Sequence, residues 1–581
     1  ADAAAAGPTE QRSSGTGGTS GTNRTNGTNV TNVTNDTIPI QHLPPVVLPL
    51  LTLDVGNSTL PDVKDGWHSA RLSLARAGGD GRPYTAGLWW PQVEGEPWDG
   101  SCKIRLHGTS SAHFPKKQYS VVPLRNVSDG HGKWRMQHLA LGFGPGWRPD
   151  DGFVLHAPYA DKSLMRNAVM YGISNAMGRW APHGAVLEMQ VRDPAGLHYF
   201  GVYWLFEKVS ARRLCLPEGA CEGASASGQA PAAVPEVAPG RDEPFLAYCD
   251  RKDKRPNKWY VLPWGNTDPS AFSVVWPPDK KPGLGCAGPQ TVGMAQAVGG
   301  ALGWLDQAPA TDTIDMDSFI DYLILQELSD NVDGYRFSTY VHRMQGQSIN
   351  AGPIWDFDIA LGGADYYVNA NDSTPVVAHW SWYRNRSLME HFYASVLTDC
   401  GRSSGSETAM QIRRRFAERW EMHRRGALSD EALRERIDQL AAALNASGAA
   451  SRNFDIWPMN KYVWPNAEVH KSYTDEISYL QDWVSLRVNW LDNNFDALTN
   501  ASSGPWCPMP WFPLPAPSIL HDPRTQFSVA GAAGVVVAAI AALWSFRRRR
   551  LGCGKGAPAL ADFLRRRLAP LAFWRPRARD G

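Results

Sequence analysis

The chain has 581 residues, 43% of them apolar and 20% charged, which is enough to bury at least one sizeable core and leaves the number of domains open. Lysine and arginine total 58 against 57 acidic residues, so there is no overall basic field of the kind that holds a nucleic-acid backbone, and nucleic acid is not expected as a partner.

Residues 1–45 are rich in Gly, Thr, Ser and Asn with few large apolar side chains, so they cannot offset the entropy of ordering the chain and are expected to be disordered. The chain opens without Met or an apolar targeting stretch, as expected of a sequence from which a leader has been removed. Asn23, Asn26, Asn29, Asn32 and Asn35 each open an N-x-S/T triplet, and Asn57, Asn126, Asn371, Asn385, Asn445 and Asn500 open others. Tandem sequons predict a glycosylated segment on the lumenal or outer side of a membrane. Cys102, Cys215, Cys221, Cys249, Cys286, Cys400 and Cys507 would share that oxidising side. An odd set cannot pair completely within one chain, Cys215 and Cys221 are spaced to close a short loop, and no Cys-x-x-Cys spacing points to zinc.

Ordered structure is expected from about residue 46, and one main domain from 65 to 498. Residues 103–106, 118–123, 186–191, 199–206, 338–343 and 349–355 are β-rich or alternate in polarity and predict strands. Residues 162–177, with Met165, Ala168, Val169 and Ile173 on one face, predict a helix with Asp161 as its N-cap. Helical spacing of Phe319, Ile320, Leu323, Ile324 and Leu328 predicts a second helix over 318–329 behind Asp317, and residues 474–495 predict a third. A low-complexity run at 222–239 reads as a surface insertion, with another loop near 277–288. Strands and helices interleaved irregularly place the domain in the α+β class.

Residues 504–526 are rich in proline and predict a stiff stalk. Residues 527–546 carry no ionisable group over a length that crosses a bilayer of about 30 Å at about 1.5 Å per residue, and Arg547–Arg550 follow at once. This predicts one C-terminal transmembrane helix with the basic tail, 547–581, in the cytosol: a single-pass type I membrane protein whose main domain is lumenal or extracellular.

The chemistry concentrates in residues 317–361. A helix ends in a polar loop carrying Asp333; a strand follows, and a second strand delivers Asp356 and Asp358. Protein kinases use the same order of parts, with a loop Asp that accepts the substrate hydroxyl proton and a later Asp that holds metal against the ATP phosphates. Each acid also has an ordinary reading, Asp333 as a turn former and Asp356 as a strand-end cap. Basic groups come from 103–122, where Gly108, Thr109, Ser110 and Ser111 separate two strand-like runs and Lys116 and Lys117 begin the second. Adjacent strand residues face opposite ways, so at most one of the two lysines enters a cleft.

HGTSSAHFPKKQYSV, FVLHAPYADKSLMRNAVMYGISNAMG, GVYWLFEKV, FIDYLILQELSDNVDGYRFSTYVH and AGPIWDFDIALGGADYY resemble, in order and spacing, the signature blocks of the spore-coat protein H (CotH) kinase family. The resemblance implies an atypical, two-lobed protein-kinase-like fold that uses ATP with Mg2+ or Mn2+ to phosphorylate Ser or Thr of secreted or cell-surface proteins. It implies Asp333 as the catalytic loop acid, Asp356 as the metal-binding acid and Asp358 as a second metal ligand. Lys116, with Lys117 as its rival, resembles the phosphate-contacting lysine; Arg166 and Asn167 resemble a cleft-facing pair, and Glu207 the acid at the adenine side. Two positions depart from the pattern. Ser338 stands where protein kinases place an Asn metal ligand, and His107 where the family often has Arg. A kinase-like surface protein without activity, or a nucleotidyltransferase on the same fold, are the alternatives to the kinase reading.

Overall fold

The computed structural model describes residues 48–64, 66–75, 98–126, 134–136, 152–216, 244–250, 260–261, 272–276, 313–364, 377, 380–381, 388–397 and 407–499. Its first half is built on β1 (Leu50–Asp54), β2 (His68–Ala75), β3 (Trp98–His107), β4 (Gln118–Asn126), β5 (Trp134–Met136), β6 (Phe153–His156), β7 (Gly184–Asp193) and β8 (Gly196–Glu207). The strands run in the order β3-β2-β1-β7-β8-β6-β4, and β3 pairs again with β4, so seven strands close into a barrel with β5 attached outside β4. β1 lies antiparallel to β2 and parallel to β7, so a strand ahead of residue 65 is one of its staves.

Period-two alternation fills the barrel: Leu51, Leu53, Leu72, Ile104, Val121 and Leu155 point inward. β7 and β8 are buried on both faces. Leu187, Met189, Tyr203 and Leu205 face the interior, whereas Val186, Val202, Trp204 and Phe206 join the helical core, which explains why successive positions are apolar at 185–187 and 202–206. Gly201 lets a helix approach β8 closely: its φ is +93°, and a Cβ there would stand 2.6 Å from Asn453 Oδ1.

The helices are α1 (Arg166–Ala176), α2 (Met316–Ser329), α3 (Leu388–Leu397), α4 (Glu407–Arg424), α5 (Asp430–Ala446), α6 (Ala449–Ile456) and α7 (Tyr473–Thr499). All seven contribute to one core, in which Phe319, Leu323, Phe392, Phe416, Leu440 and Leu480 are buried. A second, antiparallel sheet has the order β10-β11-β9-β12-β13, formed by β9 (Phe245–Cys249), β10 (Tyr260–Val261), β11 (Phe272–Trp276), β12 (Thr339–Arg343) and β13 (Asn350–Ala351).

Three sequence expectations shift in detail. α1 starts at Arg166 rather than 162, so its N-cap is Met165 and not Asp161, although Asp161 Oδ2 accepts from the backbone N–H of Arg166 at 2.8 Å. The N-cap of α2 is Asp315, whose Oδ1 accepts from Ser318 N at 2.7 Å, while Asp317 is already helical and pairs with Arg415 and Arg419. The strand expected over 349–355 stops at Ala351, because Pro353 has no N–H to continue the ladder.

Cys102 is a buried free thiol, and Cys249, also buried, donates from Sγ to Arg336 O at 2.8 Å. Among the described residues no helix is long and apolar enough to cross a membrane. The expected span at 527–546, the stalk at 504–526, the tail at 547–581, the insertion at 222–239, the loop at 277–288 and the sequon-rich segment at 1–45 all lie outside the described residues.

Candidate active site

α2 positions the first acid. Its last turn is pinned by Glu327, buried, which accepts from Tyr335 Oη at 2.6 Å and Ser381 N at 2.8 Å and pairs with Arg487 at 3.2 Å. The helix stops at Asp330, whose φ of +45° turns the chain out of the helix, and the loop 331–338 follows. Asn331 Oδ1 accepts from the backbone N–H of Asp333 at 3.2 Å, an Asx turn, and Phe337 N donates to Asp333 O at 2.8 Å. Gly334 packs closely, since a Cβ there would meet Gln326 Oε1 at 2.4 Å and Asn331 O at 3.0 Å. The Asp333 carboxylate is half-buried, with Arg336 Nη2 at 3.4 Å as its charged neighbour.

β12 and β13 position the second acid. Asp356 has a φ of +70°, and three side chains hold its backbone segment in that uncommon conformation. Tyr171 Oη accepts from Asp356 N at 3.2 Å, Asn331 Nδ2 donates to Asp356 O at 3.3 Å, and Asn167 Oδ1 accepts from Phe357 N at 2.6 Å. Asn331 therefore ties the two acid-bearing loops together through both ends of one amide. Ser338 Oγ donates to Asp356 Oδ2 at 3.0 Å. Asp358 follows, half-buried; burial, and then the charges of Asp356, Asp161 and Asp333, push its carboxyl well above the usual carboxylate range.

The structure thus gathers Asp333, Ser338, Asp356 and Asp358 around one pair of loops. Among the described residues no set of three or more His, Cys, Asp or Glu side chains is closed tightly enough to hold a metal by itself. A magnesium ion carried on phosphates needs only one or two protein carboxylates plus waters. Asp356 and Asp358, two residues apart on one loop, are carboxylates of the kind such an ion takes.

The basic and adenine-side residues have other partners. Lys116 is buried, donates from Nζ to Val202 O at 2.6 Å and Asn453 Oδ1 at 2.8 Å, and lies over the Tyr203 ring; burial and nearby Lys162 push its ammonium well below the ordinary lysine range. Lys117 Nζ donates to Ala112 O at 2.8 Å, closing the small-residue turn. Arg166 is sandwiched between Asp161 at 2.6 Å and Glu476 at 2.8 Å. Asn167 serves the Phe357 backbone rather than an open cleft. Glu207 is fully buried between His183, 2.9 Å away, and Arg213, 3.1 Å away. His107 contacts Ser120 Oγ at 3.0 Å, and burial first, then Lys208, lowers its pKa to about 3, so its imidazole is neutral.

Sequence reasoning missed Asn331, Tyr171, His156 and the pairing of Glu188 with Arg452 at 2.7 Å that joins β7 to α6. Only Asn331 had a local signal, an Asn two residues ahead of the loop acid. The others depend on partners remote in sequence.

No curated protein matches the chain. The family model described as "CotH kinase protein" matches residues 104–220 and 308–491, more than half of the chain, and includes both acid loops and strands β4 to β8. The chain belongs to the CotH kinase protein family.

Proposed function

We propose that the protein is an atypical kinase that transfers the γ-phosphoryl group of ATP to Ser or Thr hydroxyls of secreted or cell-surface proteins. The observation that carries this reading is the Asn331 amide, which takes the Asp333 N–H at 3.2 Å and reaches Asp356 O at 3.3 Å, so that a loop acid and a second acid are held in one frame. Asp333 accepts the proton of the acceptor hydroxyl as its oxygen bonds to the γ-phosphorus and the bond to the bridging oxygen of ADP breaks. Asp356 and Asp358 would hold a magnesium or manganese ion, which would neutralise charge on the phosphates. The same reading takes the barrel and the helical core as the two lobes. It puts the catalytic domain on the lumenal or outer side, with residues 527–546 in the membrane.

A second reading is supported by one observation: Lys116, Arg166 and Glu207 are all engaged by protein groups, which suits a kinase-like surface protein without activity. Incubating the purified chain with magnesium and γ-labelled ATP, with and without a Ser-rich polypeptide, separates the two. Label in protein supports the kinase; label transferred only from α-labelled ATP moves the assignment to nucleotidyl transfer; no label from either supports the inactive reading.

A further inference from the structure

Three side chains form a continuous line from the barrel to the acid loop. Asn167 Oδ1 accepts from Phe357 N at 2.6 Å, which fixes the orientation of its amide and turns Nδ2 toward His156 Nε2 at 3.2 Å. An N–H aimed at Nε2 requires that nitrogen to accept. The ring hydrogen then sits on Nδ1, which donates to Gln118 Oε1 at 3.0 Å. All three side chains are buried, at 4%, 6% and 7% exposure for Asn167, His156 and Gln118. The direction of every hydrogen bond is thereby set, from a single backbone N–H between Asp356 and Asp358 back to the paired strands β4 and β6.

We propose that Gln118, His156 and Asn167 are positioning residues for the Asp356–Asp358 loop, with the barrel fixing His156, His156 fixing the Asn167 amide, and that amide fixing Phe357 between the two carboxylates. The loop needs such a support. Asp356 sits in the left-handed region at φ +70°, a conformation that persists only where its surroundings over-determine it. Tyr171 and Asn331 hold the Asp356 peptide on one side, and Asn167 holds the next N–H on the other. A neutral imidazole is an integral part of the line, because a protonated ring would aim an N–H at the Asn167 N–H. Burial, which outweighs the opposing pull of Asp161, lowers the His156 pKa to about 4 and keeps the ring neutral at ordinary pH. Supports of this kind, one shell out from the groups that hold a cation, set how well those groups are aimed.

The consequence for metal rests on the phosphotransferase reading, whereas the loop order does not. The test uses the full chain with His156→Leu, His156→Gln and Gln118→Leu, and takes amide hydrogen exchange over residues 353–361, the magnesium concentration for half-maximal ATP binding, and thermal melting. In His156→Gln the new amide can accept from Asn167 and donate to Gln118, so its values should stay close to wild type. His156→Leu should speed exchange over 353–361 and raise the half-saturating magnesium by about tenfold or more. Gln118→Leu touches neither acid and should shift both in the same direction by less; it decides the matter if His156→Leu does not fold. Exchange over 353–361 that stays at the wild-type rate in a folded Leu variant overturns the proposal, as does a Gln variant as impaired as the Leu one. A wild type that binds no magnesium-ATP would instead overturn the functional reading and leave the exchange result to decide the support.

Discussion

The Ser338 hydroxyl donates to Asp356 Oδ2 at 3.0 Å, joining two residues that both adopt positive φ, +49° and +70°. Ser338 is therefore a hydrogen-bond partner of Asp356, the acid proposed to hold metal, as well as the residue that stands at the Asn ligand position of protein kinases. Asn tolerates the left-handed region better than Ser, so Ser338→Asn suits the backbone and offers an amide oxygen at this position. The expected outcome is a fall of roughly two- to tenfold in the magnesium needed for half-maximal ATP binding, the range of one net hydrogen bond. A magnesium titration of nucleotide binding checks it; an increase would mean that the Ser338 hydroxyl orients Asp356 better than an amide does.

Asp333 is half-buried, and its backbone, not its carboxylate, makes the turn bonds to Asn331 and Phe337. Asp333→Ala should accordingly leave melting and ATP binding near wild type while lowering phosphate transfer by about 10²–10⁴-fold, the usual contribution of a positioned general base. Loss of the fold in this variant would instead support a turn-forming role.

The acid loops were legible in the sequence because their signals are local. Helical spacing ended α2 one turn before Asp333, and the polarity of 338–355 placed Asp356 after a hairpin. What the sequence hid is contact between distant segments. Lys116 lies beside a strand-forming run, and nothing near it announces Asn453 as its acceptor; Arg166 looks like a free helix-start cation until Glu476 closes on it. Closure of the barrel has the same origin, since β1 reads only as an apolar stretch until its pairing with β2 and β7 is known. Apolar periodicity reports which face is buried, not what covers it.

His156 gives the fold an acid limit. Its folded pKa is depressed to about 4 from the ordinary 6.5, so the unfolded chain binds a proton that the folded chain refuses across that interval. The stability it contributes is complete above pH 6.5 and is lost progressively as pH falls toward 4. His107, depressed to about 3, acts in the same direction. Melting temperatures measured from pH 7 to pH 4 should fall for wild type and fall less steeply for His156→Gln; equal slopes would assign the acid sensitivity to other groups.

Lys116 provides the sharpest contrast between resemblance and structure. As the phosphate-contacting lysine of the family pattern, it should matter to ATP and little to the fold. In the structure its Nζ reaches Val202 O and Asn453 Oδ1, both buried, and thereby couples the end of the small-residue turn to β8 and α6. Methionine matches its length but donates no hydrogen bond. Lys116→Met would leave the Val202 carbonyl without that donor, a loss of about 1–3 kcal/mol for a buried polar group, while Asn453 keeps the Val202 N–H at 3.1 Å. The expected outcome is a lower melting temperature with the KM for ATP unchanged. A raised KM in a variant that melts with wild type would return Lys116 to the phosphates, and would mean that the lysine leaves Asn453 when nucleotide binds.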